Sequence, residues 1–459
     1  MLAYVLSGGQ EFFMGPACKA LSCPSTVNSS LGAVVPKGWR TGWRPLHLEQ
    51  SCVGRQGPPM RVALVHDWLT GMRGGERCLE VFCELFPEAT VFTLLHVPGT
   101  VSRGIERLPI RSSPLGALPG IGGFYRLGLP VFPWLVERFD LRDYDLVLSS
   151  SHCVAKGVRV PSGALHIAYI ISPMRYVWDL YDDYFAPGRA GRLQRACMGL
   201  LRTRLQRWDV ATAGRIDHLV AISQHVADRI RRHYGRDASV IYPPVETPRF
   251  RMGQGAGEFY LVVSAFAPYK RLDLAIQACN MMRQPLKIVG AGQNERRLRA
   301  LAGPTVEFLG PRSDAEVAEL YTRCRALLFP GVEDFGITPL EAMASGRPVI
   351  AYGRGGVLET VIPINPPPGD GLRPGPTGTG ETAEAHGPTG IFFHEQSVEA
   401  LVEAIQFFEA NSDRFDPEVL RQRALAFDRQ VFKDKIAAFV AGRWAAHGKA
   451  TGSTGAQEA

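Results

Sequence analysis

The chain has 459 residues, of which 46% are hydrophobic, and its formal net charge at pH 7 is +7. This length exceeds one compact core and predicts two or three domains. The small positive charge is not gathered into a basic strip interleaved with aromatic residues. Nucleic acid is therefore not expected as a partner, and phosphate-bearing small molecules or an anionic membrane surface fit better. Nine cysteines without a C-x-x-C pair fit neither a disulfide framework nor a zinc module and favour a reducing, cytoplasmic compartment.

The first 59 residues carry Ser, Gly and Pro throughout and show no sustained periodicity. They also lack the charged and apolar regions of a signal peptide, so residues 1–59 are expected to be a disordered N-terminal extension. An ordinary strand pattern begins after Met60, which suggests the hypothesis that the extension is an upstream addition to the reading frame. No apolar run in the sequence approaches the length that spans a bilayer.

From residue 60 onwards, short apolar runs alternate with helical patterns. Such runs are typical of parallel strands that are covered on both faces. The first series of predicted strands comprises residues 61–66, 90–95, 145–150, 166–171, 218–223 and 239–242. The second series comprises residues 259–264, 286–289, 306–310, 326–330 and 348–352. The doubly wound α/β pattern therefore occurs twice.

A stretch rich in Pro, Gly and polar residues separates the two series, from Pro243 to Gly257. Such a composition predicts a hinge between two lobes. We expect an N-terminal Rossmann-like domain over residues 60–245 and a C-terminal Rossmann-like domain over residues 246–416. A cleft between the two domains follows from this arrangement.

Three further segments differ from the two domains in composition. Residues 365–388 hold many Pro, Gly and Thr and predict a flexible insertion. Residues 417–446 predict amphipathic helices that pack back toward the N-terminal domain. Residues 447–459 are expected to be a disordered tail.

A glycine-rich turn follows the first predicted strand, and its glycines are Gly71, Gly74 and Gly75. Glycines between a parallel strand and a helix let backbone amides approach an anion, and the helix dipole adds to the attraction. One interpretation is therefore contact with a phosphate or an acceptor. The other is a tight turn without a ligand, because the motif is neither a Walker loop nor a dinucleotide fingerprint.

Two cations, Lys270 and Arg271, follow the first strand of the second series. Ligands of open α/β sheets lie at the carboxyl ends of strands, so this pair is well placed for a diphosphate. The alternative is a solvated basic pair at the start of a helix.

Two glutamates, Glu333 and Glu341, flank Gly336 where a predicted strand leads into a helix. This arrangement offers a carboxylate to sugar hydroxyls and backbone amides to a phosphate. Glu341 also lies three residues after Thr338, with Pro339 between them, which is the pattern of a capping box. Spacing alone leaves both interpretations open.

Several segments resemble the signature of the retaining glycosyltransferases of family 4, which have the GT-B fold. They are Glu333-Asp-Phe-Gly, Glu341-Ala, Gly346-Arg-Pro-Val-Ile-Ala, Gly355-Gly-Val-Leu-Glu-Thr, Pro268-Tyr-Lys-Arg-Leu-Asp-Leu-Ala-Ile, Tyr242-Pro-Pro-Val, Ser151-His-Cys-Val-Ala-Lys-Gly and Ser172-Pro-Met-Arg-Tyr-Val-Trp-Asp. Together they resemble the bacterial, mannosyltransferase-like branch that builds O-antigen and exopolysaccharide, over about residues 60–443. The same fold supports nucleotide-sugar epimerases, but the segment around the two glutamates disfavours them.

The resemblance implies two facing Rossmann-like, doubly wound parallel sheets with an interdomain cleft. It implies that the domain over residues 60–245 binds the acceptor and the domain over residues 246–416 binds the nucleotide sugar. It also implies metal-independent transfer of a hexose, with mannose from a GDP donor favoured, onto a glycan or lipid-linked acceptor in cell-surface polysaccharide synthesis. The nucleotide-diphosphate sugar is a substrate, and no cofactor is expected.

The resemblance assigns roles to individual residues. Lys270 neutralises the donor's diphosphate, Glu333 contacts the transferred sugar and Glu341 holds the ribose hydroxyls. The residues expected at the donor are Lys270, Arg271, Glu333, Phe335, Gly336, Ile337 and Glu341. Those expected to be catalytic are Glu333, Lys270 and Asp67.

The chain departs from this pattern at two positions. Ala265 stands where the family has a phosphate-binding arginine, and Ile171 stands where it has a histidine near the reacting sugar. The enzyme would then be slowed, or another group, such as Asp67 or His152, would serve the reaction. The alternative is a catalytically impaired nucleotide-sugar-binding protein or regulator.

The segment 189–207 carries six arginines with leucines at roughly helical intervals. A basic amphipathic helix of this kind can lie on anionic lipid, which would suit a lipid-linked acceptor and peripheral contact with the inner face of the cytoplasmic membrane. The alternative is an ordinary surface helix.

Overall fold

The fold of this protein is known from a computed structural model, which describes residues 60–117, 128–185, 191–364 and 387–454. The predicted N-terminal extension, residues 365–386 of the predicted insertion and residues 455–459 lie outside the described residues. Two parallel sheets organise the rest, and each carries helices on its two faces.

The first sheet has seven parallel strands in the order β3-β2-β1-β4-β5-β6-β7. They are β1 (Val62–His66), β2 (Thr90–Thr93), β3 (Ile110–Ser112), β4 (Leu146–Ser151), β5 (Leu165–Ile170), β6 (His218–Ala221) and β7 (Ser239–Val240). The central strands β1, β4 and β5 are buried along their whole length, because helices cover both faces of the sheet. We call the part of the chain built on this sheet the N-lobe.

In the described part of the chain, six α-helices lie between the strands of the first sheet. They are α1 (Gly74–Leu85), α2 (Arg103–Glu106), α3 (Phe132–Val136), α4 (Tyr181–Phe185), α5 (Arg192–Ala213) and α6 (Gln224–Tyr234). Helix α6 has clear sequence signals at both ends. The Ser223 hydroxyl accepts a hydrogen bond from the Val226 amide at its start, and Gly235 ends it in a left-handed conformation.

The second sheet has six parallel strands in the order β10-β9-β8-β11-β12-β13. They are β8 (Phe259–Val263), β9 (Leu286–Val289), β10 (Val306–Gly310), β11 (Cys324–Phe329), β12 (Val349–Tyr352) and β13 (Gly390–Phe393). The helices that follow are α7 (Leu272–Met282), α8 (Glu295–Leu301), α9 (Asp314–Arg323), α10 (Ile337–Ala344), α11 (Val357–Thr360), α12 (Val398–Ala410), α13 (Pro417–Leu425) and α14 (Arg429–Thr454). The part built on this sheet is the C-lobe.

Every strand predicted from the sequence occurs, with bounds that differ by a residue or two. The sequence missed two strands. Strand β3 is only three residues long and contains Arg111 and Ser112, which leaves no apolar run to detect. Strand β13 follows directly on the Pro- and Gly-rich segment for which the sequence predicts an insertion.

The C-terminal helices divide between the two lobes. Helix α14 packs on the N-lobe, where the Phe432 ring lies 5.9 Å from Phe82 and 5.6 Å from Tyr169, centroid to centroid. Helix α13 instead packs against α10 of the C-lobe, where Arg421 donates to the Ala344 carbonyl at 2.5 Å. The chain therefore returns to its first sheet only after α13. Helix α14 also continues to Thr454, through residues 447–454 that were expected to be disordered.

None of the helices in the described ranges combines the length and the apolar character that crossing a membrane requires.

The position of Phe432 generates a stability prediction. Its ring is 2% exposed, so Phe432→Ala removes a large buried group and leaves a cavity. We expect the free energy of unfolding, measured by chemical denaturation, to fall by about 3–5 kcal/mol. The matched control is Phe407→Ala on helix α12, where the ring is 40% exposed and the cost should be about 0.5 kcal/mol. Equal losses for the two variants would contradict the packing of α14 on the first sheet.

Candidate functional site

The carboxyl ends of the strands in one sheet face the carboxyl ends of the strands in the other. In each sheet the strand order reverses direction, between β1 and β4 in the N-lobe and between β8 and β11 in the C-lobe. Ligands of open α/β sheets bind outside the carboxyl ends of strands at such reversals. A Cβ atom built on Gly74, at the start of α1, would lie 3.0 Å from Cδ1 of Ile337, at the start of α10. The N-terminal ends of two helices from different lobes therefore meet, and both favour negative charge.

Lys270 and Glu333 come together within the C-lobe. Lys270 ends a short turn after β8, Glu333 follows β11, and the ammonium group pairs with the carboxylate. Gly331 permits this pairing, because a Cβ at that position would lie 2.7 Å from the Lys270 Cα and 2.9 Å from the Tyr269 carbonyl oxygen. A side chain at residue 331 would push the two loops apart.

Two glycines after β12 hold Glu333 from its other side. The Gly356 amide donates to the Glu333 carbonyl at 2.9 Å. A Cβ on Gly355 would lie 2.6 Å from the same carbonyl oxygen, and a Cβ on Gly356 would lie 2.5 Å from the Asp334 carbonyl oxygen. The Gly-Gly segment is therefore needed for close contact with the backbone of Glu333 and Asp334.

The start of α10 contributes backbone rather than side chains. Gly336 precedes the helix with φ +88°, and as the N-cap residue it has no side chain to bond the first amides of α10. The Phe335 ring is buried against Tyr242 and Phe427, so this residue offers only its backbone to a ligand. Phe335, Gly336 and Ile337 thus form an amide-rich helix start beside the Lys270–Glu333 pair, which suits a phosphate group.

Glu341 lies on α10 and accepts a hydrogen bond from the Tyr321 hydroxyl at 3.0 Å. Burial raises the pKa of the Glu341 carboxyl. Burial also raises the pKa of Tyr321, and the charge of Glu341 raises it further. Because Gly336 is the N-cap and Thr338 lies inside the helix, the capping-box interpretation of Glu341 is wrong.

Arg271 lies beside the pair but is turned away from it. The residue has φ +50°, and its guanidinium binds Asp273 at 3.1 Å at the start of α7. The structure therefore favours the surface interpretation for Arg271, although the sequence places it with Lys270 at the donor.

Asp67 is completely buried and does not lie on the surface of the cleft. Its two oxygens accept hydrogen bonds from four consecutive backbone amides, at 2.7 Å from His152, 3.0 Å from Cys153, 2.7 Å from Val154 and 2.8 Å from Ala155. Burial opposes ionisation, but the charge and hydrogen bonds of His152 outweigh it and hold the pKa of Asp67 well below its usual range. The burial and the four amide contacts favour a positioning role for Asp67, which holds the loop that carries His152, over the catalytic role expected from the sequence.

His152 is the partly exposed member of this arrangement. Its Nδ1 lies 3.0 Å from Asp67, its side chain is 22% exposed, and its ring stands edge-on to Trp68 at 4.5 Å. Ile171 lies against the glycine turn. A Cβ built on Gly75 would lie 2.9 Å from Cδ1 of Ile171 and 3.4 Å from the ring of His66. The position that the family fills with histidine therefore contacts the glycine turn, as does His66.

The glycines of that turn have a packing explanation. Gly71 has φ +147°, and Gly74 and Gly75 make the close contacts given above. These contacts account for all three glycines without a ligand, so their contact with phosphate or acceptor stays a prediction. Within the described ranges, no three or more His, Cys, Asp and Glu side chains are grouped so that they could hold a metal ion.

The sequence missed a cluster of charges between the lobes. The Asp334 carboxylate binds Arg175 and Arg229 of the N-lobe. The Glu359 carboxylate accepts from the amides of Gln224 at 2.7 Å and His225 at 2.8 Å, at the start of α6. Asp334 and Arg175 each belong to a motif quoted above, but nothing in either motif indicates that they are partners.

Comparison with known families and proteins agrees with this geometry. Residues 250–366 match the family described as Glycosyl transferases group 1, and this range contains the Lys270–Glu333 pair and Glu341. An uncharacterized glycosyltransferase of Methanocaldococcus jannaschii is 30% identical over 32% of this chain and 43% of its own length. D-inositol 3-phosphate glycosyltransferase of Streptomyces bingchenggensis is 28% identical over 68% of this chain and 78% of its own. O-antigen chain mannosyltransferase C of Escherichia coli is 37% identical, but the chain spans only 27% of its length.

Solved structures show the same architecture. Sucrose-phosphate synthase from Thermosynechococcus elongatus has a TM-score of 0.61 at 18% identity, over 84% of this chain and 100% of its own. Anabaena HepE in complex with UDP has a TM-score of 0.57 at 15% identity, over 83% and 100% of the two chains. The two parallel α/β lobes and these likenesses confirm the GT-B fold that the sequence predicts.

The contact at Gly331 is testable by adding one methyl group. Because a Cβ would lie 2.7 Å from the Lys270 Cα, Gly331→Ala should separate the Lys270 and Glu333 loops and weaken binding of a nucleoside diphosphate about 10-fold or more, measured by calorimetry. Gly199→Ala is the control, since that helix residue has no neighbour within 4 Å of a built Cβ. Unchanged binding in Gly331→Ala would show that the close approach has no role in the site.

The role of Asp67 is testable through stability. Asn keeps only one acceptor oxygen for four amides, so Asp67→Asn should lower the free energy of unfolding by about 3 kcal/mol at about pH 7. Asp143→Asn, in an 86% exposed side chain, should leave the denaturation curve unchanged.

The same variant has a pH signature. The pKa of Asp67 is lowered on folding, so its contribution is complete above the ordinary value of 3.8 and is lost as the pH falls below it. The loss caused by Asp67→Asn should therefore shrink as the pH falls below that value. A stable variant without glycosyl transfer would instead restore the catalytic interpretation.

Proposed function

We propose that this protein is a retaining glycosyltransferase that moves a hexose from a nucleotide-diphosphate sugar to a glycan or lipid-linked acceptor. The observation that carries the proposal is the pairing of Lys270 with Glu333 beside the uncapped start of α10. A cation and free backbone amides suit a diphosphate, and an adjacent carboxylate suits sugar hydroxyls. The match of residues 250–366 to the group 1 family supports the same assignment.

The diphosphate is the group that Lys270 would bind in the complex. Its negative charge competes with Glu333 for the ammonium, and the amides of Phe335, Gly336 and Ile337 bind the remaining phosphate oxygens. As the bond to the sugar breaks, negative charge grows on the departing diphosphate, and these fixed positive groups stabilise it. Lys270 is in this proposal the group that assists departure.

Glu333, once separated from Lys270, would accept hydrogen bonds from hydroxyls of the transferred sugar. Glu341 would accept them from the ribose, while Tyr321 keeps its carboxylate in place through the 3.0 Å hydrogen bond. The acceptor hydroxyl would attack from the face that the diphosphate leaves and pass its proton to that diphosphate, so the anomeric configuration is retained. The contribution of these residues is mainly positioning and charge stabilisation, without a metal ion.

Mannose from a GDP donor is the proposed hexose. Relatives that bear the name mannosyltransferase, in Escherichia coli and Salmonella typhimurium, support this choice. The acceptor is proposed to belong to cell-surface polysaccharide synthesis for the same reason.

A cytoplasmic location with peripheral membrane contact through α5 is part of the proposal. Leu200 on this helix is 83% exposed, and Arg192, Arg204 and Arg207 are exposed with it. Arg202 is engaged internally, because it donates to the Val177 carbonyl at 3.0 Å. The face available to lipid is therefore smaller than the sequence suggests.

A second candidate function is binding of a nucleotide sugar without transfer. Two substitutions favour it. Ala265 is exposed at the end of β8 without a phosphate-binding cation, and Ile171 places an apolar side chain against the glycine turn. Measured binding of a nucleoside diphosphate with no product from any donor would support this function.

A donor screen tests the proposal without knowledge of the acceptor. Hydrolysis of GDP-, UDP- and ADP-sugars by the wild-type protein is expected for one donor, because water can replace the acceptor slowly. Lys270→Met and Glu333→Gln should each lower the rate with that donor about 10²–10³-fold. Lys287→Met is the control, since Lys287 pairs with Glu307 on the second sheet and has no place in the site. Equal rates in Lys270→Met and the wild type would refute the assignment.

A further inference from the structure

Asp334 follows Glu333 directly and is held by two arginines of the other lobe. Arg175, after β5, donates to Oδ2 of Asp334 at 2.5 Å, and Arg229, on α6, donates to Oδ1. The side chains of Asp334 and Arg229 are only 13% and 6% exposed. Burial opposes the ionisation of Asp334, but the charges of the arginines outweigh it and lower its pKa. The ion pairs of Asp334 are therefore largely buried, unlike exposed ion pairs, which contribute little to stability.

The main chain of Asp334 is fixed from the same direction. The Ser223 hydroxyl, at the start of α6, donates to the Asp334 carbonyl at 2.6 Å. Arg229 in turn binds Asp179 at 2.5 Å and donates to the Ser172 hydroxyl at 3.2 Å. Both the carboxylate and the carbonyl of Asp334 are thus anchored to a connected set of N-lobe groups.

Arg175 also lies beside the second loop of the site. Its Nη1 is 3.5 Å from the Tyr269 hydroxyl, and the Lys270 ammonium lies 5.3 Å from the centroid of the same Tyr269 ring. One N-lobe arginine therefore contacts the loop that carries Glu333 and the loop that carries Lys270. Lys270 is the sequence neighbour of Tyr269, and Glu333 is the sequence neighbour of Asp334. Each proposed donor-binding residue is therefore adjacent to a residue that Arg175 contacts.

Helix α6 is attached to the C-lobe a second time. The Glu359 carboxylate accepts from the amides of Gln224 and His225 at its start, where a negative charge is favourable. Arg229 lies on this helix, so its position relative to Asp334 is set by a contact outside the cluster. The cluster therefore has a fixed support in both lobes.

We propose that Arg175, Asp334 and Arg229 form a positioning cluster, which sets the orientation of Glu333 and Lys270 only when the two lobes are closed on each other. The proposal rests on the proposed function, because it assigns Glu333 and Lys270 to the donor. None of the three residues needs to touch the donor. Loss of the cluster should allow a nucleoside diphosphate to bind while the transferred sugar is misaligned.

The structure offers a matched control. Asp314, at the start of α9, also joins an N-lobe arginine to a second arginine: it binds Arg77 of α1 at 2.9 Å and Arg249 at 2.6 Å. Its side chain is 61% exposed, however, and the residue does not belong to either loop of the site. Asp314→Asn removes the same chemical group from between the lobes without changing the neighbour of Glu333.

The first experiment compares kcat with binding. Asp334→Asn should lower kcat for hydrolysis of the preferred donor about 10–100-fold, because misalignment of about 1 Å costs that much. Its Kd for the nucleoside diphosphate should change less than about 3-fold, and Asp314→Asn should leave both values near those of the wild type. Because Asn cannot balance the buried arginines, Asp334→Glu is included and should recover part of kcat. A wild-type kcat in Asp334→Asn, or kcat and affinity that fall in proportion, would overturn the proposal.

A second measurement does not depend on activity and so separates failure of this inference from failure of the proposed function. Amide hydrogen exchange of residues 331–336 should be faster in Asp334→Asn than in the wild type, and unchanged in Asp314→Asn. Unchanged exchange in Asp334→Asn would refute the cluster even if the protein proved to be an active glycosyltransferase. Faster exchange in a protein that hydrolyses no donor would refute only the assigned reaction.

Discussion

The pairing of Lys270 with Glu333 is the interaction on which the rest of the site depends. It exists because the loop after β11 lies directly against the loop after β8. A Cβ built on Gly331 would lie 2.7 Å from the Lys270 Cα, so this approach requires glycine at position 331. The carboxylate holds the lysine side chain in one position, and in the proposed function a diphosphate replaces the carboxylate as its partner. In the proposed function the pair thus holds the cation in place until a diphosphate binds, and the carboxylate is then released toward the hydroxyls of the sugar.

The two lobes contribute to this site unequally. The C-lobe supplies the charges and the amides that suit a donor, whereas the N-lobe supplies packing and support: the glycine turn against Ile337, the buried Asp67 that holds four amides, and the arginines around Asp334. Helix α14 then ties the end of the chain back to the first sheet through Phe432. The geometry of the cleft is therefore determined by contacts that lie mostly outside the predicted donor-binding residues.

The sequence predicted the features that repeat or that belong to short motifs. The strands could be recognised because fully apolar runs alternate with helices, and the approach of Lys270 to Glu333 could be expected because both stand after strand ends in family-like segments. The remaining features depend on distant residues. Asp334 meets Arg229 and Arg175 across separations of 105 and 159 positions, and Asp67 meets its four amides across 85 to 88. Arg271 could not be placed either, because its left-handed backbone turns the side chain toward Asp273.

The central claim is that a diphosphate takes the place of Glu333 at Lys270. A crystal structure of the protein with its preferred nucleoside diphosphate tests this most directly. The account predicts a phosphate oxygen within hydrogen-bonding distance of the Lys270 ammonium and of an amide at the start of α10, with the Glu333 carboxylate released. A diphosphate bound elsewhere, with the Lys270–Glu333 pair intact, would contradict it.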